Sequence, residues 1–396
     1  MALGALISAY HQDEAGGLHA LFPLAGRTLV EYQARCLAAV GAAPIILLVE
    51  LMPPALGDAM ARLRGEGIIV TPVTDGIEAA SRFEAGSELV MLGDGIAPDM
   101  ADLAMIADGD GALVLTVPDD EAHAGFERID AGRRWAGLAR LDSAGLGATA
   151  AMLGDWDLQS TLLRRVIQGG AVFRAARSGD GRGPYLADRP EAMVDYQRRL
   201  LVASRVARSD WVSRYLLPLV EEFATEKLME TPLSPAILVH VALGLTLAAA
   251  LAVTRGWMVA SVVLLLMSLP LDLVGQRLAM LRLRPLPPSL LSARLLWPAA
   301  GLALLALGWF AARHGAGWGA LVAALTAGAF AEATRIERGR DDPPGAQWLW
   351  SRRSAVVILA PFMLAGWLAT GLVVAALYAA IGFFIVQHWH HHRLDD

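Results

Sequence analysis

The chain predicts a mostly parallel, doubly wound α/β domain followed by an all-α membrane domain of six helices, and three observations carry that prediction. Residues 1–230 hold most of the acidic side chains and alternate short apolar runs with polar helical patterns. Residues 235–388 are long apolar stretches with few charges. Of 396 residues 55% are hydrophobic and only 18% charged, which is too apolar for two ordinary soluble domains.

The elements follow in order. ALISAY (5–10) reads as a first strand rather than a signal peptide, because no basic segment precedes it and a polar loop follows, so the domain is expected to stay in the cytoplasm. TLVEYQARCLAAVG (28–41) has helical periodicity, PIILLVE (44–50) is a strand, and a helix near 53–65 leads to the strand GIIVTPV (67–73). A helix near 76–84, the strand ELVMLGD (88–94) and the strand ALVLTV (112–117) continue the alternation. Apolar runs of this length between helices imply strands covered on both faces.

Residues 191–229 read as an amphipathic, arginine-rich helix lying on an anionic leaflet, with Trp211 and Tyr215 at headgroup depth and Arg205, Arg208 and Arg214 toward phosphates. Six spans follow, near 235–254, 258–274, 291–311, 316–334, 354–370 and 371–388, each close to the ~20 residues a bilayer requires. Arg277, Arg282 and Arg284 follow the second span, and Arg335, Arg338, Arg340, Arg352 and Arg353 lie between the fourth and fifth. The opposite loops carry only Arg255 and Arg313, so both termini are expected in the cytoplasm of a multi-pass inner-membrane protein. The chain thus divides into a domain of 1–200, an interfacial helix of 201–230 and a membrane domain of 231–396.

One cysteine, Cys36, excludes an intramolecular disulfide framework. A net charge of −6 argues against nucleic acid as the main partner. His388, His390, His391 and His392 near the end are read as interfacial or adventitious metal binders.

LDLVGQRLAML, with SDWVSRYLLPL and TPLSP before it, resembles the core of the CDP-alcohol phosphotransferases, whose signature is D-x-x-D-G-x-x-A-R, eight residues, then G-x-x-x-D-x-x-x-D. Asp272 takes the first aspartate and Ala279 the alanine. Gly275, Gln276, Met280, Ser289, Ala293 and Trp297 stand at the second aspartate, glycine, arginine, second glycine and last two aspartates. The family's carboxylates hold divalent metal on a diphosphate and deprotonate the acceptor alcohol, which takes several oxygen ligands. Asp272 is therefore expected to be a relic, satisfied by a neighbour such as Gln276 or Arg277.

From Ala5 to about Arg199 the chain resembles GT-A-like sugar- or polyol-phosphate nucleotidyltransferases. Pro23, Gly26 and Leu29 of HALFPLAGRTLVEYQ match a family motif, and LGDG (92–95) and YLADRPEAM (185–193) stand where the family has its metal aspartates. The resemblance implies Asp94 and Asp188 as a magnesium pair, their alternative being ordinary turn aspartates. The family's glycine-rich phosphate loop reads here SAYHQDEAGG, and its lysine position is His19. The chain's single lysine is Lys227, so His19 and Arg27 are the candidates for neutralising nucleotide phosphate.

The whole chain is similar to fused inositol-phosphate cytidylyltransferase/phosphotransferase proteins, most specifically at the junction with Ser213-Arg214-Tyr215 and Thr231-Pro232-Leu233-Ser234-Pro235. Two functions are left open. The first is a catalytically degenerate paralogue in phospholipid or polyol-phosphate headgroup metabolism, partnering membrane lipids, CTP or a CDP-alcohol, a second copy or an active homologue. The second is an active transferase with a rebuilt site.

Overall fold

The computed structural model describes residues 3–152, 157–177, 183–203, 210–229, 231, 233–283, 290–338, 343 and 345–394. Arg205, Arg208, Pro232, Arg284, Ser289, Arg340 and the side chain of His392 lie outside the described residues. The chain divides into two units, Met1–Ser204 with Leu281–Arg284, and Arg205–Met280 with Pro285–Asp396.

In chain order the first unit contains β1 (Leu3–Ser8), a small hairpin of β2 (Pro23–Leu24) and β3 (Arg27–Thr28), α1 (Leu29–Ala39), β4 (Ile45–Leu48), α2 (Pro54–Gly65), β5 (Val70–Val73) and α3 (Gly76–Ser81). It continues with β6 (Glu88–Leu92), β7 (Ile96–Ala97), α4 (Met100–Ala107), β8 (Leu113–Pro118), β9 (Arg133–Asp142), α5 (Ser143–Ala150), α6 (Leu158–Gln168), β10 (Val172–Ala175), β11 (Tyr185–Leu186) and α7 (Pro190–Ala203).

Seven strands form one sheet in the order β10-β8-β9-β6-β1-β4-β5. β1 pairs in parallel with β4 and β6, β4 with β5, and β8 with β10. The apolar strands are buried on both faces, as the runs predict: Leu6, Ile46, Leu89, Met91 and Val114 share a core with Ala79 and Leu162 from the covering helices. β9 departs from the predicted pattern by running antiparallel between β6 and β8. Its sequence RRWAGLARLD mixes arginine and glycine with apolar residues and so lacks the unbroken apolar run of its parallel neighbours. Helix α1 starts where the sequence placed it, because Thr28 and Glu31 form a reciprocal capping box that satisfies amides of the first turn.

The second unit is helical: α8 (Pro218–Met229), α9 (Pro235–Thr254), α10 (Met258–Leu281), α11 (Leu291–Ala311), α12 (Trp318–Glu337), α13 (Arg352–Ala365) and α14 (Leu368–Leu394). Each expected span coincides with a helix. Four of them, α9, α10, α11 with its continuation to Ala316, and α14, are long and apolar enough to cross a membrane. Helix α12 has 20 residues but is alanine-rich and carries Glu332, Arg335 and Glu337 in its last turns. Helix α13 has only 14 residues, about 21 Å of rise against ~30 Å of hydrocarbon. It stops at Gly366, whose left-handed backbone (φ 76°) caps it, so the break before α14 falls earlier than the predicted 370.

Among the described residues, the stretch expected as a single helix over 191–229 shows α7, a short π-helical segment at Val212–Leu216 and α8. Pro218 opens α8, since its ring fits a first helical turn but would break an earlier one. Tyr215, Leu219 and Phe223 are exposed, as an interfacial reading requires. Trp211 stacks on Trp348 and donates its indole N–H to Tyr378.

Candidate functional site

Strand β1 sits next to both β4 and β6, and the chain leaves it through α1 toward β4 and later returns on its other side as β6. The connections after β1 and β6 therefore diverge at neighbouring carboxyl ends, leaving the crevice where open α/β sheets take ligands. The first connection supplies Tyr10 and His11, the second Asp94.

Asp94 is buried, and one oxygen is heavily used. Its Oδ2 accepts from the backbone N–H of Tyr10 (2.7 Å) and of His11 (2.6 Å) and meets the His11 ring nitrogen Nδ1 at 3.2 Å. The Asp94 N–H donates to Gln159 Oε1 at 3.0 Å. Among the described residues its Oδ1 is buried with no partner. Such an atom is costly unless something fills its place.

The antiparallel pair β7 and β11 matches Ile96 with Leu186 and Ala97 with Tyr185. Continued by two residues, the same register sets Asp94 opposite Asp188. Gly95 lies between, and the fit requires glycine: its φ is 69°, and a Cβ there would stand 2.9 Å from the Ala187 carbonyl oxygen and 3.3 Å from His19 Nδ1. Asp94, Asp188 and His19 thus line one cavity of about 500 Å³, with His11, Glu127 and Gln159. Arg27 does not line it. That arginine lies on β3 among Glu31, Arg35, Arg62 and Glu66, where burial lowers its pKa.

Four groups near the crevice are shifted, Tyr10 among them, raised chiefly by burial. The His11 pKa is raised, chiefly by its hydrogen bond to Asp94 and against the opposing effect of burial. Burial raises Glu127, partly offset by a hydrogen bond from Ser160. Burial also pushes Asp157 upward, but hydrogen bonds from the Tyr10 hydroxyl and Ser160 outweigh it and leave Asp157 lowered. His11, Glu127, Gln159 and Asp157 carry no motif. Only His11 stood in a stretch that the sequence marked, the first loop.

A group raised in the folded state stabilises below its unfolded pKa, about 6.5 for histidine, and that contribution is lost as pH rises through the folded value. The His11 increment should therefore be complete below about pH 6.5 and fade above it. With the ring half exposed it will be small. Proton NMR of the His11 ring should show the raised pKa in the wild type and a return toward the ordinary value in Asp94→Asn; no difference between the two would contradict the hydrogen bond.

Magnesium, implied by the resemblance, is tested by the donors present. Among the described residues no group of three or more histidine, cysteine or acidic side chains could hold a metal ion. Two carboxylates suffice for magnesium that keeps water and substrate oxygens. The free oxygen of Asp94 and the half-exposed Asp188 fit that role; Arg189 is 3.5 Å from the latter.

In the helical unit Asp272 is buried, but its partners are neither Gln276 nor Arg277. Its Oδ1 accepts from Arg352 Nη2 at 2.9 Å and its Oδ2 from Arg353 Nη2 at 2.6 Å. Arg353 also donates to Asp210 (2.7 Å) and Arg352 to Ser268 (3.1 Å), while Arg277 is held by Glu221 at 2.9 Å. With both oxygens gripped by guanidinium groups, Asp272 does not fit a metal.

No protein-family model matches the chain, and no curated protein does. Solved structures similar to its first half are nucleotidyltransferases. A Bacillus anthracis protein assigned as a glucose-1-phosphate thymidylyltransferase is 12% identical over 50% of this chain and 96% of its own, with a TM-score of 0.39. The CTP:phosphocholine cytidylyltransferase of Streptococcus pneumoniae is 14% identical over 50% and 100%, with a TM-score of 0.37. A CMP:2-keto-3-deoxy-manno-octonic acid synthetase complexed with CTP is 13% identical over 52% and 100%, also with a TM-score of 0.37.

Proposed function

We propose that this chain is an integral membrane protein whose nucleotidyltransferase-like domain binds a nucleotide through a divalent ion without transferring it. It would serve as a binding or partner subunit in phospholipid or polyol-phosphate headgroup metabolism. The observation that carries this reading is the state of Asp94: one oxygen capped by the first loop, the other buried and without a partner among the described residues, in a side chain that lines the same cavity as Asp188. The crevice keeps what one magnesium ion needs and lacks what a triphosphate needs.

The N–H groups of Tyr10 and His11, placed where a phosphate loop would aim its donors, point at a carboxylate instead. Asp13 takes those of Ala15 and Gly17. The domain has no lysine, so the cavity's cation candidates for phosphate are His19 and His11, the latter already beside Asp94. Bound magnesium would neutralise phosphate oxygens, and Asp94 and Asp188 would hold it. In the helical unit the grip of Arg352 and Arg353 on Asp272 argues against metal-dependent CDP-alcohol transfer.

Calorimetry on the full chain in detergent, with CTP and magnesium, tests the reading. Weak binding that vanishes in EDTA is expected, with no pyrophosphate release from CTP and polyol phosphates and no transfer from a panel of CDP-alcohols. The unpartnered oxygen of Asp94 is also what an active transferase would use. Turnover that disappears in Asp94→Asn would establish that second reading.

Six passes through the inner membrane with both termini in the cytoplasm complete the proposal, supported by the arginine asymmetry of the loops. Cys36 is buried, so the native background should stay silent in thiol labelling. Trp257→Cys should label from outside the cell and Glu337→Cys should not. The reverse pattern would overturn the topology.

A further inference from the structure

Three helix hairpins of the second unit turn on the same two residues. Gly256-Trp257 leads from α9 into α10, Gly317-Trp318 from α11 into α12 and Gly366-Trp367 from α13 into α14. Each glycine has a left-handed backbone, with φ of 77°, 70° and 76°, which a residue with a Cβ rarely adopts. At two of the corners the tryptophan itself closes the helix: its backbone N–H reaches back five residues to a carbonyl, Trp257 to Ala252 and Trp367 to Phe362, both at 2.9 Å. A hydrophobic residue in that position commonly packs against the turn it closes. Here the indoles stay uncovered, with Trp257 64%, Trp318 69% and Trp367 66% exposed.

The corners belong to one end of the unit's core. A single buried cluster takes Val253, Ala311, Ala320 and Met363 from beside the three turns, with Met258 and Leu368 packed against it. The Phe310 ring lies 3.4 Å from where a Cβ on Gly256 would stand, and it stacks on His314 of the second turn. The turns hold Arg255 and Arg313 and no acidic residue. Trp135, Trp211 and Trp297 donate their indole N–H to acceptors within the protein. Among the described residues the three corner tryptophans have no such acceptor. In water an exposed indole wastes its apolar area, and in hydrocarbon it strands its N–H. The layer of ester and phosphate oxygens between the two satisfies both ends of the ring.

We propose that the three corners form an interfacial anchor, with Trp257, Trp318 and Trp367 together in the phospholipid headgroup layer and their indole N–H groups donating to lipid oxygens. Arg255 and Arg313 extend from the same turns toward phosphate. This rests on the reading of the second unit as a membrane domain. It assigns α12 and α13 the same membrane boundary as the helices that are long and apolar enough to cross.

Electron paramagnetic resonance of the full chain in vesicles of phosphatidylcholine and phosphatidylglycerol tests this, with one spin label at a time on an introduced cysteine. Cys36 is buried, so the background should stay unlabelled. Collisions with oxygen, which concentrates in hydrocarbon, against those with a water-soluble nickel chelate give the depth of each label. Trp257→Cys, Trp318→Cys and Trp367→Cys should all lie within one headgroup layer, about 6 Å thick. Val263→Cys, Val322→Cys and Val373→Cys are exposed positions one to two turns farther along α10, α12 and α14, and their labels should lie about 6–9 Å deeper.

Corner labels as open to nickel as in free solution would place the turns in water and overturn the anchor. Corner labels that neither agent reaches would mean that protein covers them, and one corner outside the layer of the other two would break the shared boundary; either result overturns the proposal. Labels at the three valines that stay poor in oxygen collisions would overturn it together with the membrane reading.

Discussion

Asp272→Ala should destabilise the helical unit by about 3–5 kcal/mol, the usual cost of removing one member of a buried ion pair. The side chain is the acceptor for both Arg352 and Arg353, so its loss leaves two guanidinium groups buried with fewer counter-charges. Asp210 still faces Arg353, but among the described residues Arg352 would keep only the hydroxyl and carbonyl of Ser268. Thermal unfolding in detergent, followed by helical circular dichroism, should show a clearly lowered midpoint. Arg352→Met added to Asp272→Ala should recover part of the loss, because it withdraws one uncompensated charge. An unchanged midpoint in Asp272→Ala would mean that the aspartate is not the keystone of this cluster.

In the first unit, Asp94→Asn should weaken magnesium-dependent CTP binding by more than about tenfold, or 1.4 kcal/mol, while leaving the fold nearly intact. Asparagine retains a carbonyl oxygen that can accept from the Tyr10 and His11 amides, so the loop stays tied. What it loses is the charge that a metal ion requires. Asp94→Ala should lose both, with an added instability of about 1–3 kcal/mol from amides left without an acceptor. Calorimetry and thermal melts on the two variants separate these effects. Binding by Asp94→Asn at wild-type strength would show that the metal does not sit on this carboxylate.

The sequence disclosed what depends on periodicity and local chemistry. The runs at 44–50 and 88–94 are buried strands that pair in parallel with β1, and Thr28 with Glu31 marks a helix start. β9 escaped because an antiparallel strand of mixed composition has no apolar run to betray it. In the crevice, Asp94 and Asp188 were recognisable from the letters around them, but their juxtaposition depends on a two-residue strand pairing about ninety positions apart. Arg27 looked equally suitable as a cation, yet it lies near Glu31 of α1 and Glu66 just after α2. Asp272 was visible as an expensive charge within a span; that α13 would answer it with adjacent arginines depends on helix packing that no spacing encodes.

Every strand of the main sheet lies before residue 176, and the small β7 and β11 pair is complete by residue 186. The first long apolar helix begins only at Pro235. At the usual pace of synthesis, about 5–20 residues per second, some 2–10 seconds separate the two. Mixed α/β sheets of low to moderate contact order close within that interval. Translation therefore gives the crevice time to form before the hydrophobic helices leave the ribosome, and the inner strands of the sheet can pair with their neighbours before the chain has any membrane segment to deliver.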